Sequence, residues 1–364
     1  MLFRSTGDVT DEDLIARENV VVTITATGYA KRTKVDSYKA QKRGGKGVRG
    51  AELKQDDIVK NFFICSTHDW ILFFTNFGRV YRLKAYELPE ATRTARGQHV
   101  ANLLEFQPEE KIAQVIQIQS YEDAPYLVLA TKQGRVKKSR LTDYESARSA
   151  GLIAINLNEG DSLIGAQLVS ESDDILLTSE QGQAIRFTAD DEQLRPMGRA
   201  TAGVKGMRFR GDYQLLSLSV VQEGGYLLVA TSGGYGKRTA IEEYAPQGRG
   251  GLGVMTFKYT PKRGKLIGAI TVMEDDEIFA ITSAGGVIRT EVNEIRPSSR
   301  ATMGVRLVNL GDDVELLVID RNVEDDGEEE ALAVAKGEKT VEDARQDLDP
   351  NKPGDQDNDS DNKE

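Results

Sequence analysis

A unit of about fifty residues recurs six times along this chain, and that repeat constrains the fold more than any other feature of the sequence. In each copy a short apolar strand ends in Thr or Ser, two residues follow, then Gly, and four residues later comes a base. The copies run Thr25 to Gly28 and Arg32; Thr75 to Gly78 and Arg82; Thr131 to Gly134 and Lys138; Ser179 to Gly182 and Arg186; Thr231 to Gly234 and Arg238; Thr282 to Gly285 and Arg289. The glycines step by 50, 56, 48, 52 and 51 residues. Each copy reads as a β-hairpin whose Gly supplies a positive φ at the turn. Stretches such as 58–65, 112–118 and 215–221 supply further strands. About four strands per copy, six times over, predicts an all-β chain of radially arranged blades.

A second glycine closes a later loop in each copy: Gly45, Gly97, Gly151, Gly203, Gly251 and Gly304. In the odd copies Tyr38, Tyr144 and Tyr244 lie seven residues before it; in the even copies Leu88, Leu194 and Ile295 lie nine before it. Arg93, Arg199 and Arg300 stand four residues before the closing Gly of the even copies. This alternation suggests a two-blade unit of about 100 residues used three times.

A base just after a hairpin turn is expected to face solvent. Radial blades would set Arg32, Arg82, Lys138, Arg186, Arg238 and Arg289 at equivalent places on the rim. Lys31, Arg79, Arg135, Lys137 and Lys237 lie beside them, so a discontinuous positive belt is expected, with a merely solvated face as the plainer alternative. The net charge of −11 does not oppose this. Residues 323–364 hold 16 acids and 5 bases, which leaves 42 of each in residues 1–322. The acidic segment, free of aromatic residues, is expected to be a disordered tail.

The closing loop of copy one reads Gln41-Lys42-Arg43-Gly44-Gly45-Lys46-Gly47. Glycine lets backbone N–H groups approach an anion, and the three bases neutralise it. The segment is no phosphate loop of the nucleotide-binding kind, since no Gly-Lys-Ser/Thr follows a strand and opens a helix. In this position, among hairpins such as Asn76-Phe77-Gly78-Arg79-Val80, it resembles the heptad box of the C-terminal domain of bacterial DNA gyrase A. A second segment in copy five, Gln247-Gly248-Arg249-Gly250-Gly251-Leu252-Gly253, resembles it with two bases lost.

The resemblance covers about residues 7–322. It implies a six-bladed β-pinwheel, propeller-like with strands exchanged between blades, over 16–322. Residues 1–15 would be a linker remnant and 323–364 the tail. It implies a rim that wraps duplex DNA without sequence preference, through both box segments and the belt, in a chain without a catalytic centre. The partners would be the remainder of gyrase A, together with gyrase B, in a heterotetramer whose other parts use ATP and Mg. No membrane role is expected, and a single cysteine, Cys65, fits a reducing cytoplasm, with the chain at the nucleoid. The family's DNA-cleaving tyrosine follows an arginine, and none of the 12 tyrosines here does. Two alternatives stay open: a C-terminal domain of the topoisomerase IV type, and a β-propeller scaffold for protein interactions. The latter lacks the Trp-Asp repeat signature, as Trp70 is the sole tryptophan.

Overall fold

The computed structural model describes residues 11–40, 57–146, 150–349 and 351. Six antiparallel sheets form the blades of a wheel. Blade 1 orders its strands Val59–Ser66, Asn19–Thr25, Tyr29–Lys34 and Gln98–His99. The last pair comes from the closing loop of the second copy. Blade 2 likewise takes Leu152–Ile153 from the third copy, blade 3 Val204–Lys205 from the fourth, blade 4 Val254–Met255 from the fifth, and blade 5 Val305–Arg306 from the sixth. Blade 6 has three strands among the described residues: Val287–Glu291, Glu277–Thr282 and Leu316–Arg321. Each repeat therefore completes the sheet before it, which is the exchange that defines a pinwheel.

The Thr/Ser–Gly signature has a local cause. All six hairpin glycines have positive φ, from 71° at Gly78 to 93° at Gly28. The hydroxyl before the turn accepts the backbone N–H four residues on, as Thr25 does from Tyr29, Thr131 from Arg135 and Thr231 from Tyr235. At the same residue the pairing to the neighbouring strand slips, between Ile24 and Thr25, Phe74 and Thr75, and Ala230 and Thr231. The bulge bends each strand as it enters the turn.

The core lies between blades rather than inside them. Val20, Val22 and Ile24 of blade 1 pack with Ile71, Phe73 and Tyr81 of blade 2. On the other face of blade 2, Leu72 and Phe74 pack with Leu127, Leu129 and Tyr144 of blade 3. Strands buried on both faces read as continuous apolar runs, and each such Val, Leu, Ile or Phe stabilises the wheel by about 1.5–3 kcal/mol.

Two expectations are corrected. The Gly that precedes the exchanged strand of copy five is Gly253, not Gly251; its φ is +72°, and a Cβ there would strike the Ala184 carbonyl, as one at Gly203 would strike that of Val136. Copy five thus follows the nine-residue spacing of the even copies, counted from Tyr244, and Arg249 takes the place of their arginine. The segment after 322 is not wholly irregular either. Glu324–Lys336 forms helix α1 and Val341–Leu348 forms helix α2. Three acids in the first turn of α1 suit the helix dipole, Gly337 (φ 75°) terminates it, and Thr340 with Asp343 makes a capping box for α2. Ala331, Ala335 and Ala344 form a small-residue face packed on Val21, Val35, Tyr38, Val59, Phe62 and Ile64 of blade 1. Small apolar residues are what the composition of an acidic segment conceals. Residues 352–364 lie outside the described residues.

Candidate nucleic-acid interface

The bases that follow the hairpin glycines do not form an exposed belt. Lys31, Lys137, Lys138, Lys237 and Arg238 are buried. In copies one, three, four and five the base four residues after the Gly instead links blades. Arg32 Nε donates to the Leu88 carbonyl at 2.9 Å, Arg186 Nη1 to that of Tyr244 at 3.2 Å, and Arg238 Nε to that of Ile295 at 2.5 Å. Lys138 Nζ donates to the Ala189 carbonyl at 2.7 Å. Arg82 stacks over Trp70, its Cζ 4.2 Å from the ring centre. Arg289 is half exposed but bonded to Glu277 and Asp325. At four junctions the recurring base makes the same kind of bond to the next blade, which requires no ligand.

The three odd-copy lysines cap the closing loop of the next repeat. Lys31 Nζ donates to the carbonyls of Thr92, Arg93 and Ala95. Lys137 donates to those of Ala154 and Arg199, and Lys237 to those of Ser299 and Arg300 and to Thr302 Oγ1. Burial lowers the Lys137 ammonium to about 7 and that of Lys31 and Lys237 to about 8. Arg79 and Arg135 are bound to loop carbonyls as well, those of Gly151 and of Ala202 and Gly203.

Between repeats, the closing loops are linked in series. Asn156 N–H donates to the Thr201 carbonyl, Arg208 N–H to that of Gly251, and Lys258 N–H to that of Thr302. The arginine four residues before the closing Gly reaches the carbonyl at the end of the preceding exchanged strand: Arg199 to Ile153, Arg249 to Lys205, Arg300 to Met255. The box-like segment Gln247–Gly253 belongs to this chain of loops. Its Arg249 is held by Gln193 and Lys205, and its Gly250 carbonyl accepts from Arg208 Nε at 2.8 Å. The heptad Gln41 to Gly47 lies outside the described residues.

Exposed positive charge stands on and beside these loops. Lys205 and Arg306 end the exchanged strands of blades 3 and 5. Arg208 and Lys258 lie three residues beyond the ends of the strands on blades 3 and 4, with Arg210, Lys262 and Lys265 nearby, all exposed. Sequence reasoning missed them because their periodicity is carried by the exchanged strand, which pairs with the preceding repeat. The one available signal was position: Lys205, Arg208, Lys258 and Arg306 follow the closing Gly by two to five residues. His68 and His99 have internal partners, Thr67 and the Glu12 carbonyl for the first and the Thr27 carbonyl and Ala101 N–H for the second. Among the described residues no group of three or more His, Cys, Asp or Glu is placed to hold a metal ion. No described helix is long and apolar enough to cross a membrane.

A six-bladed wheel that completes blades 1 to 5 with a strand from the next repeat, and carries exposed bases on the linked loops, defines a β-pinwheel with a charged loop face. Comparisons with known proteins narrow this. The model of the DNA gyrase C-terminal domain, beta-propeller, matches six times, at residues 19–66, 69–119, 125–170, 173–222, 225–273 and 276–319. The DNA gyrase A protein of Mycobacterium leprae is 70% identical over 88% of the chain, and that of Mycobacterium bovis 66% identical over 92%. The chain spans 25% and 40% of those proteins' lengths. Among solved structures, a DNA topoisomerase IV C-terminal domain matches with TM-score 0.78 at 28% identity, covering 89% of this chain and 99% of that one. A DNA gyrase A C-terminal domain matches with TM-score 0.63 at 29% identity, covering 84% and 99%. The chain belongs to the family of DNA gyrase A C-terminal domains.

Proposed function

We propose that the wheel binds duplex DNA through its phosphates along the linked closing loops, bends it, and wraps it with a fixed hand. It would do so as a part of gyrase that makes and breaks no bonds. The observation that carries this reading is the arc formed by Lys205, Arg208, Lys258 and Arg306: exposed bases at repeat-equivalent positions on loops hydrogen-bonded to one another. Phosphates are met by local charge, so a neutral body with such an arc is enough. The heptad with Lys42, Arg43 and Lys46 would extend the arc at the first repeat. The rest of gyrase A and gyrase B would supply cleavage and the use of ATP and Mg, in a cytoplasmic complex at the nucleoid.

The test is a titration of duplex DNA at several salt concentrations. The logarithm of affinity should fall with that of salt by about 0.9 per phosphate neutralised. Replacing Lys205, Arg208, Lys258 and Arg306 with Ala should reduce that slope, and nicked circles religated with the parent chain should show a linking difference that the variant loses. An unchanged slope would refute the assignment, and a parent chain that ignores DNA would favour a protein-interaction scaffold.

A further inference from the structure

Among the described residues, five of the six blade junctions are alike and one is not. The junctions from 1/2 to 5/6 each bury nine to fourteen residues in a continuous core. The junction between blade 6 and blade 1 buries three among the described residues: Ile58, Phe279 and Ile281. Among the described residues an ion pair also crosses it, Lys60 to Asp320 at 3.3 Å. At the 2/3 and 4/5 junctions Leu141 and Tyr144, or Ile241 and Tyr244, pack on the preceding blade. The matching pair of blade 1, Val35 and Tyr38, packs on Ala331, Ala335 and Ala344 of the helices instead. The helical hairpin therefore stands where blade 6 would otherwise press on blade 1.

The fit is specific. Gly327 lies so close to the Phe62 ring that a Cβ would collide with it. Arg345 donates to the Ile64 carbonyl at 2.8 Å and to the Asp69 carboxylate. Three further ion pairs join α1 to its surroundings or lock the hairpin: Arg93 with Glu328, Arg289 with Asp325, and Lys339 with Glu330. Arg289 is on blade 6 and Arg93 in the loop that completes blade 1, so α1 is tied to both sides of the junction.

We propose that α1 and α2 form a removable wedge that holds the junction between the last and first blades open and so sets the pitch of the wheel. With the wedge out, the freed face of Val35, Tyr38 and Phe62 would close on Phe279, Ile281 and Val287, and the wheel would flatten. A pitched rim displaces the two ends of a bound duplex along the axis, whereas a flat one does not. This second consequence rests on the DNA-binding reading; the first does not.

Spin labels at Asp36→Cys on blade 1 and Asn293→Cys on blade 6, both exposed, report the gap in the full chain; Cys65 is buried and stays in place. Gly327→Leu and Arg345→Ala should each release the helices, seen as faster hydrogen exchange in α1 with unchanged protection in blades 3–5. A chain ending at Asn322 removes them outright. The label distance should shorten in all three, and the linking difference per bound chain should drop by at least half. An unchanged or longer distance in the truncated chain overturns the wedge, and a shorter distance with an unaltered linking difference overturns its control of the DNA path. A parent chain that fails to bind DNA counts against the proposed function alone, because the distance measurement requires none.

Discussion

Lys237→Met separates a structural base from a DNA-binding one. Its Nζ donates to the carbonyls of Ser299 and Arg300 and to Thr302 Oγ1 in the parent. After the substitution Ser299 keeps the hydroxyl of Thr302 at 3.0 Å, while the Arg300 carbonyl loses the donor that caps it. An orphaned buried carbonyl costs about 1–3 kcal/mol, and two further bonds at about 0.5–1.5 kcal/mol each are lost. Methionine fills a similar volume and relieves the burial of an ammonium, so the net loss should be about 2–4 kcal/mol. Trp70 lies on blade 2, so tryptophan fluorescence does not report on this blade directly. Hydrogen exchange in Tyr226–Thr231 and Tyr235–Ala240 reports the right blade. The salt slope of DNA binding should stay as in the parent. Burial lowers the amine from 10.5 to about 8 in the fold, so the parent's stability rises with pH between about 8 and 10.5, where the unfolded chain holds the extra proton. The gap between parent and variant should widen across that window. A variant of unchanged stability with a reduced salt slope would show that Lys237 faces DNA and that the burial argument is wrong.

Arg306→Ala should do the opposite: a stability change within about 0.5 kcal/mol and a salt slope smaller by about 0.9, both measurable by the same two assays. Gly253→Ala should weaken protection of Gln183–Thr188, because the added Cβ meets the Ala184 carbonyl at a φ of +72°; unaltered exchange there would remove Gly253 from its place beside blade 4. Burial, with Glu328 and Asp325 close by, raises Glu324 to about 6, while Lys31 and Arg289 oppose the shift. A raised acid favours the docked helix below its unfolded value of 4.5, and that advantage is lost as pH rises through 6. Exchange protection of α1 should therefore grow from pH 7 to pH 5, and a fall over that range would refute the burial of Glu324.

The hairpins were legible in the sequence because a turn that needs Gly at positive φ, after a hydroxyl that caps it, leaves both residues in place in every copy. The role of the bases was not. Arg186 and Arg238 sit in blades whose two faces both meet another blade, so alternation along the strand gives no clue to exposure. Their six-fold recurrence is equally well produced by a junction that repeats. Lys205 and Arg306 were obscured for a different reason: their sheet partners, Arg135 and Tyr235, belong to the previous copy. The helices after 322 were hidden by composition, since three alanines among many acids carry the packing and contribute almost nothing to a hydropathy count.

Strand exchange also means that a repeat is not a building block that can be inherited by itself. Deleting one copy takes a hairpin from its own blade and the outer strand from the blade before, exposing two unpaired edges at once. Duplicating one copy leaves an orphan strand seeking a sheet. A wheel made this way tolerates change in whole turns of the design or in loop residues, such as Lys205 and Arg208, that no neighbouring blade depends on for a side-chain contact in its core. Selection acting on such a chain would thus find charge at the rim far easier to adjust than the number of blades.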